Sequence, residues 1–315
     1  MKHLGISGGG TKIGGLFGIA ESIIYERNYR PDIISGISAG AILAVPLALG
    51  KRNEIRDIVL NIGIKSIFNR PPVDQQGKIR KWNAIMQILR GKYYLGTQNN
   101  LLKLLAKIVS KREFRDYKKD SEKASCIVGA VDFYTGKRFY INLKKVSYQD
   151  FLGFVNASAS LPVFTPGVAF QKEIEDFEGI KSTYKKILLF DGGVRDHSPS
   201  QKILGSDHED FRITENATIF SRPDRLEDIL DPDEFIPQNI LAVLDRHIAI
   251  SNAEVSKNDD MREQEIMEEK NIFNHGTFYL PRIMQGVYDV DKDRLRELYE
   301  RSKEIVTDET WRERS

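Results

Sequence analysis

Cysteine is almost missing from this 315-residue chain. Cys126 stands alone, so neither an intrachain disulfide framework nor a cysteine-based metal cluster can form. It lies in an apolar strand pattern, which points to packing. No apolar run reaches the roughly 20 residues needed to cross a bilayer, and the stretch 37–49 is short and rich in Ala and Gly. Residues 3–7 read as a strand that enters the fold at once, not as a secretory leader. A cytoplasmic, reduced setting is the expectation. Histidine is also scarce: His3, His197, His208, His247 and His275 are all there are, and none carries a flanking signature of a catalytic base. There is no internal repeat, low-complexity tract or clear domain linker.

What is present is an ordinary globular composition, 41% hydrophobic and 29% charged, long enough to bury a substantial core. The net charge of +2 hides an asymmetry. Residues 51–123 hold eighteen Lys and Arg against seven Asp and Glu, a local balance of +11. That excess suggests an anionic partner for the middle segment, or a merely solvated helical face.

The most informative stretch is Gly-Ile-Ser-Ala-Gly at 36–40. It follows the apolar run 33–35 and opens a small-residue helix at 41–45, the strand–turn–helix context of a nucleophile elbow centred on Ser38. Gly36 and Gly40 would let such a turn close. Pro46 is expected to kink or shorten the helix. Upstream, 3–7 reads as the first strand, Gly8, Gly9 and Gly10 as its exit turn with Lys12, and 13–26 as a helix. A second strand at 32–35 completes a βαβα opening, typical of a parallel sheet covered by helices. The turns after neighbouring parallel strands emerge along one carboxyl edge. The glycine turn would therefore sit beside the elbow, its N–H groups free to face an oxyanion, unless it serves only tight packing. Further strands are expected at 124–133, 137–143, 187–190 and 217–221, with another at 277–280. Helices are expected at 51–62, 78–90, 98–110, 147–157 and 291–304, with a long helical region at 237–271. A surface hairpin or loop fits 171–185. Asp191 ends a buried strand, and Gly192 and Gly193 keep the site behind it open; an Asp that only initiates a turn is the plainer alternative.

These residues resemble the patatin-like phospholipase family. Its glycine-rich N-terminal segment matches 8–12, its elbow 36–41, its Ala/Ser/Pro segment Ala-Ser-Ala-Ser-Leu-Pro at 157–162, and its Asp-Gly-Gly 191–193. The resemblance covers about 3–200. It implies an α/β fold of three αβα layers with a mostly parallel sheet. It makes Ser38 the nucleophile, Asp191 its partner without a histidine, and Gly8, Gly9 and Gly10 the oxyanion hole, with Gly36, Gly40, Lys12, Gly192 and Gly193 shaping the site. The implied activity is hydrolysis of phospholipid, lysophospholipid or other acyl esters without metal or cofactor. Lys12–Ile13 stands where the family often has Arg-Gly, which loses the planar guanidinium fork. The expected organisation is one domain over 1–315: a core at about 3–222, a basic helical insertion at about 51–123, and a C-terminal helical region at about 237–315.

Residues 80–94 mix cations with Trp82, Tyr93, Tyr94 and aliphatics, a composition suited to peripheral contact with an anionic membrane through 78–119, at the inner membrane surface. The competing expectation is a helix whose apolar face packs on the core. No nucleic acid is expected. Two rival functions exist. One is a nicotinamide-dependent short-chain reductase, from Gly8-x-Gly10-x3-Gly14 and the Tyr140–Lys144 spacing, although no acidic residue ends the second strand to hold a ribose. The other is a non-catalytic basic adaptor.

Overall fold

The computed structural model describes residues 1–74, 79–221, 240–284 and 289–314. The strands are β1 (Lys2–Ile6), β2 (Ile33–Gly36), β3 (Ser125–Asp132), β4 (Arg138–Asn142), β5 (Val168–Phe170), β6 (Ile187–Asp191), β7 (Glu215–Phe220) and β8 (Phe273–Tyr279). They form one eight-stranded sheet in the order β5-β6-β3-β2-β1-β7-β8, with β4 also on β3. Pairing is parallel from β3 through β2, β1 and β7 to β8, and antiparallel where β3 meets β4 and β6 and where β5 meets β6. The central strands are buried along nearly their whole length, as expected where helices cover both faces.

Three strands compete for β3, and this sets the position of the site. β4 pairs with Ile127–Val131 on one edge. The other edge must therefore carry both β2, paired with Ser125–Val128, and β6, paired with Ala130–Asp132. β2 runs up that edge and stops at Gly36, opposite Val128; β6 runs down it and stops at Asp191, opposite Ala130. The two strands meet end to end, with only Gly129 between them. The sequence pattern placed Asp191 on a carboxyl edge shared by parallel strands. β6 is antiparallel instead, and Asp191 reaches the same place from the opposite direction.

The helix Ile13–Glu21 is buried on every residue, between the sheet and the closing helix Lys292–Lys303. Its glycines allow that contact: a Cβ at Gly18 would lie 2.7 Å from the Tyr299 carbonyl oxygen. Glu21 ends the helix fully buried, bonded to Arg52, Arg56 and the Tyr299 hydroxyl. Burial pushes its pKa up, but hydrogen bonds from Arg52, Tyr299 and Arg56 outweigh this and hold it below the usual carboxylate range.

The middle segment carries the expected helices as Arg52–Val59, Lys81–Leu89 and Asn99–Ile108, plus short Ile64–Ile67 and Lys111–Lys119. Neither short helix was anticipated, although Ser110 and Glu113 form a capping box before Lys111–Lys119. Pro46 lies inside the elbow helix Ala39–Ala48. The C-terminal region is not only helical. After the long helix Ile240–Glu269, β8 adds to the core sheet beside β7, so the sheet extends well past residue 222. The acidic stretch 224–234, which reads as a loop from its sequence, lies outside the described residues.

Gly18→Val forces a backbone oxygen aside, and we expect a stability loss of roughly 1–3 kcal/mol. Thermal melting of the purified variant checks this; an unchanged midpoint would show that the two helices separate without cost.

Candidate active site

Ser38 occupies the sharp turn between β2 and the elbow helix with φ 52 and ψ −116, a conformation strained for a residue with a side chain. The flanking glycines are required by contact. A Cβ on Gly36 would lie 2.3 Å from the Gly40 carbonyl, and one on Gly40 2.2 Å from the Ile6 carbonyl oxygen. The turn is braced from the segment 157–162. Ser38 N–H donates to Ser158 Oγ at 3.0 Å, and the Ser158 hydroxyl donates to the Gly129 carbonyl at 2.6 Å, at the gap between β2 and β6.

Asp191 is 1% exposed. Its N–H donates to the Ser160 carbonyl at 3.0 Å, and Oδ1 accepts Gly193 N–H at 2.8 Å. Oδ2 is buried without a partner at hydrogen-bond distance. Burial pushes this carboxyl up to about 7, against weaker opposing pulls from Gly193 N–H and the Ser38 hydroxyl. Ser38 thus lies near enough to act on the Asp191 carboxyl, although Asp191 Oδ2 makes no formed hydrogen bond.

Gly192 and Gly193 do not hold space open, contrary to expectation. A Cβ on Gly192 would lie 2.9 Å from the Gly129 carbonyl oxygen and 3.3 Å from Ile37 Cγ2, so glycine lets this loop close onto the elbow. The Gly8–Gly10 turn does sit beside Ser38: a Cβ on Gly8 would lie 3.3 Å from Ser38 Cβ. Its three amides are not equivalent, however. Gly8 N–H donates to the His197 carbonyl at 3.1 Å, while its own carbonyl accepts the Ser7 and Ser221 hydroxyls. Gly8 is an anchor and not a free donor, which corrects its expected place in the oxyanion hole. Gly9 and Gly10 N–H groups have no acceptor among the described residues. Lys12 follows in the same turn, its N–H on the Gly9 carbonyl at 3.0 Å.

Ser158, Ser160 and Ser221 were not singled out from sequence. The first two showed only as small residues in a run ending at Pro162, and nothing marked the third. The reductase pair is not assembled: Tyr140 is buried in β4 on Asp196, and Lys144 donates to the Asp120 and Lys123 carbonyls. Among the described residues no group of three or more His, Cys, Asp or Glu gathers as a metal cage, and no helix is long and apolar enough to cross a membrane.

A strained serine at a glycine-flanked elbow, beside a buried carboxyl and a turn with open amides, is the arrangement of a serine hydrolase on an α/β sheet. Within that class the chain belongs to the patatin-like phospholipase family, whose model matches residues 4–201. This is a family of lipid acyl hydrolases. No curated protein matches the chain. Among solved structures, VipD from Legionella pneumophila is similar, with 14% identity and a TM-score of 0.47 over 96% of this chain, which spans 66% of VipD's length.

A carboxyl raised by burial is a cost to folding. Its proton leaves at about pH 4 in the unfolded chain but only at about 7 in the folded one. Stability from the buried neutral acid is full below pH 4 and is lost as pH rises through 7. Asp191→Asn is therefore close to neutral near pH 4 and raises the melting temperature by several degrees at pH 8. Equal shifts at both pH values would show that Asp191 ionises normally.

Proposed function

We propose that the protein hydrolyses acyl esters of phospholipids or lysophospholipids through a Ser38–Asp191 dyad. The observation that carries this is the strained Ser38 beside the buried Asp191, whose Oδ2 has no other partner. As Ser38 Oγ attacks the ester carbonyl, its proton passes to the Asp191 carboxylate. The Gly9 and Gly10 amides, aided by the positive end of the elbow helix, meet the oxyanion that forms. Collapse expels the alcohol, which takes the proton from Asp191, and leaves an acyl-serine. Asp191 then draws a proton from water, hydroxide attacks the acyl carbon, and the proton returns to Ser38 as the acid leaves. A base must be ionised to act, and a value near 7 places Asp191 where a base is both available and strong enough.

Ser38→Ala abolishes labelling by a fluorophosphonate probe and hydrolysis of a p-nitrophenyl acyl ester; labelling that persists removes Ser38 from the role. In the wild type kcat/KM rises about tenfold per pH unit below 7 and levels off above it. A flat profile from pH 5 to 8 would remove Asp191.

We further propose that the enzyme works at an anionic membrane surface, reached through the basic insertion. The helix Lys81–Leu89 does not turn its apolar side to the core: only Gln87 is buried, while Trp82 is 81% exposed, Leu89 75% and Ile88 68%. Arg80, Lys81, Arg90 and Lys92 flank these side chains, and an open cleft of about 670 Å³ adjoins the start of the helix, lined by Arg70, Arg80, Lys81 and Trp82 with Asp74 as its one acidic residue. Apolar side chains ringed by cations suit the boundary between headgroups and acyl chains. The helix is also tied to the site. Asn83 donates to the Leu95 carbonyl at 2.7 Å, and Leu95 and Gly96 N–H donate to the Val163 and Phe164 carbonyls, just past the 157–162 segment. Exposed Phe133 packs on Phe190, the residue before Asp191.

Co-sedimentation with vesicles tests this. The wild type partitions at least tenfold more onto anionic than onto neutral vesicles, and Trp82→Ala with Leu89→Ala reduces that binding severalfold without changing hydrolysis of a soluble ester. Equal partitioning onto both vesicle types would sink the membrane proposal alone.

A further inference from the structure

The long helix Ile240–Glu269 lies beyond the residues that define the family, yet it reaches the site. Asp259 on this helix is 4% exposed. Its Oδ2 accepts the backbone N–H groups of His197, at 2.5 Å, and Ser198, at 2.9 Å, while Oδ1 accepts the Gln201 side-chain amide. One turn further on, buried Glu263 accepts the Ser198 hydroxyl. Two side chains of one helix therefore hold a single turn, 197–201, by backbone and side chain together.

That turn touches both halves of the site. Towards the N-terminus it continues directly from the Asp191 loop, which is closed by Arg195 and Asp196 N–H groups on the Gly192 carbonyl at 2.9 and 3.0 Å. Across the site, the His197 carbonyl accepts Gly8 N–H at 3.1 Å, the bond that anchors the glycine turn. The His197 residue thus lies in series between Asp259 on one side and Gly8 on the other. Nearby Asp196 has its own partners in Arg138 and Tyr140, at 2.6 and 2.5 Å, and leaves the 197–198 amides to Asp259.

We infer that Asp259 is a positioning residue which, through the His197 peptide, holds the Gly8–Gly10 turn and the Asp191 loop in register around Ser38. The inference rests on the hydrolase function proposed above. Two peptide N–H groups on one buried carboxyl oxygen fix its direction, and the bonds strengthen as the carboxyl ionises, with a pKa that burial pushes up to about 7. Without that oxygen the 197–198 peptides lose their orientation, and the acceptor for Gly8 N–H shifts with them. The glycine amides then miss the position where the oxyanion forms, and displacements of about 1 Å in such a donor cost on the order of 10²-fold in rate. Asp259 bonds to His197, Ser198 and Gln201 and to neither Ser38 nor Asp191, so its effect falls on turnover and not on ester binding.

The test compares Asp259→Ala, Asp259→Asn and Met267→Ala in the full chain, with a soluble p-nitrophenyl acyl ester. Met267 is a core residue of the same helix that bonds the Asn216 side chain and no part of the 197–201 turn. Asp259→Ala lowers kcat about 10²-fold with KM within threefold of wild type. Asp259→Asn keeps an oxygen for the His197 and Ser198 amides and recovers activity to within about tenfold. Met267→Ala lowers the melting temperature but leaves kcat unchanged when assayed well below its midpoint. Amide hydrogen exchange gives a readout independent of catalysis: in Asp259→Ala, protection falls in the peptides covering 5–12 and 191–201, and in Met267→Ala it does not. Wild-type kcat in Asp259→Ala, or unchanged exchange in 5–12, overturns the inference. So does a loss of activity that Met267→Ala reproduces at equal stability. Hydrolysis that survives Ser38→Ala overturns the function instead, and the exchange experiment still decides whether Asp259 holds the glycine turn.

Discussion

One edge of β3 is shared by two strands running towards each other, and the site exists because they stop one residue apart. β2 ends opposite Val128 and β6 ends opposite Ala130. Each must leave the sheet at that point because the other occupies the next position. β2 leaves through the elbow that raises Ser38; β6 leaves through the Gly192–Gly193 turn just after Asp191. Gly129, opposite the gap, has no strand partner on that edge, and its carbonyl takes the Ser158 hydroxyl that in turn accepts Ser38 N–H. A larger residue at Gly129 would place its Cβ 2.9 Å from Ile37 Cγ1, within the elbow itself. Hydrogen-bonding register along a single strand thus fixes the separation of two side chains that are 153 positions apart in the chain.

Around that junction, strain and burial are concentrated on the two groups proposed to react. Ser38 carries a positive φ, and Asp191 is enclosed with one oxygen unpartnered; both are costs to folding at neutral pH. They persist because the surroundings over-determine them. Ser158 and Ser160 hold the elbow and the acid from one short segment, and Ser7, Ser221 and His197 hold Gly8 from both of its sides. Most of these supports are small hydroxyl residues or backbone carbonyls, which fit where the sheet and the loops approach too closely for anything larger. The exposed apolar helix Lys81–Leu89 is a similar departure from what stability alone favours. Its side chains face water in the isolated chain, an arrangement that suits a partner surface better than a core.

Much of the fold was legible in the residues. The alternation of buried strands and helices over the first fifty positions is written in short apolar runs broken by glycine, and β1, β2 and the elbow helix lie where that pattern places them. β3, β4, β6 and β7 also lie within a residue or two of their expected spans. The helix Lys111–Lys119 was missed because its sequence is nearly all charged, and only Phe114 and Tyr117 turn inward. At Lys81–Leu89 the periodicity was right, and of the two environments it allowed, packing on the core is the one not observed. An amphipathic pattern shows that one face is apolar, and it carries no information on whether that face meets protein or something else.

At the site the division is sharper. Residue types and their local spacing are enough to mark Ser38, Gly36 and Gly40, because a serine elbow is a short-range structure that few residue combinations can close. The same holds for Asp191 as the end of a buried strand. Strand direction, the end-to-end meeting on β3, the engagement of Gly8 by His197 and the grip of Asp259 on the 197–198 amides all depend on hydrogen bonds between segments distant in the chain. Such bonds are made by backbone groups that every residue carries, so their partners leave no trace in the identity of the side chains. Local chemistry was decided by the sequence; which elements that chemistry meets, and from which direction, was decided only when the sheet assembled.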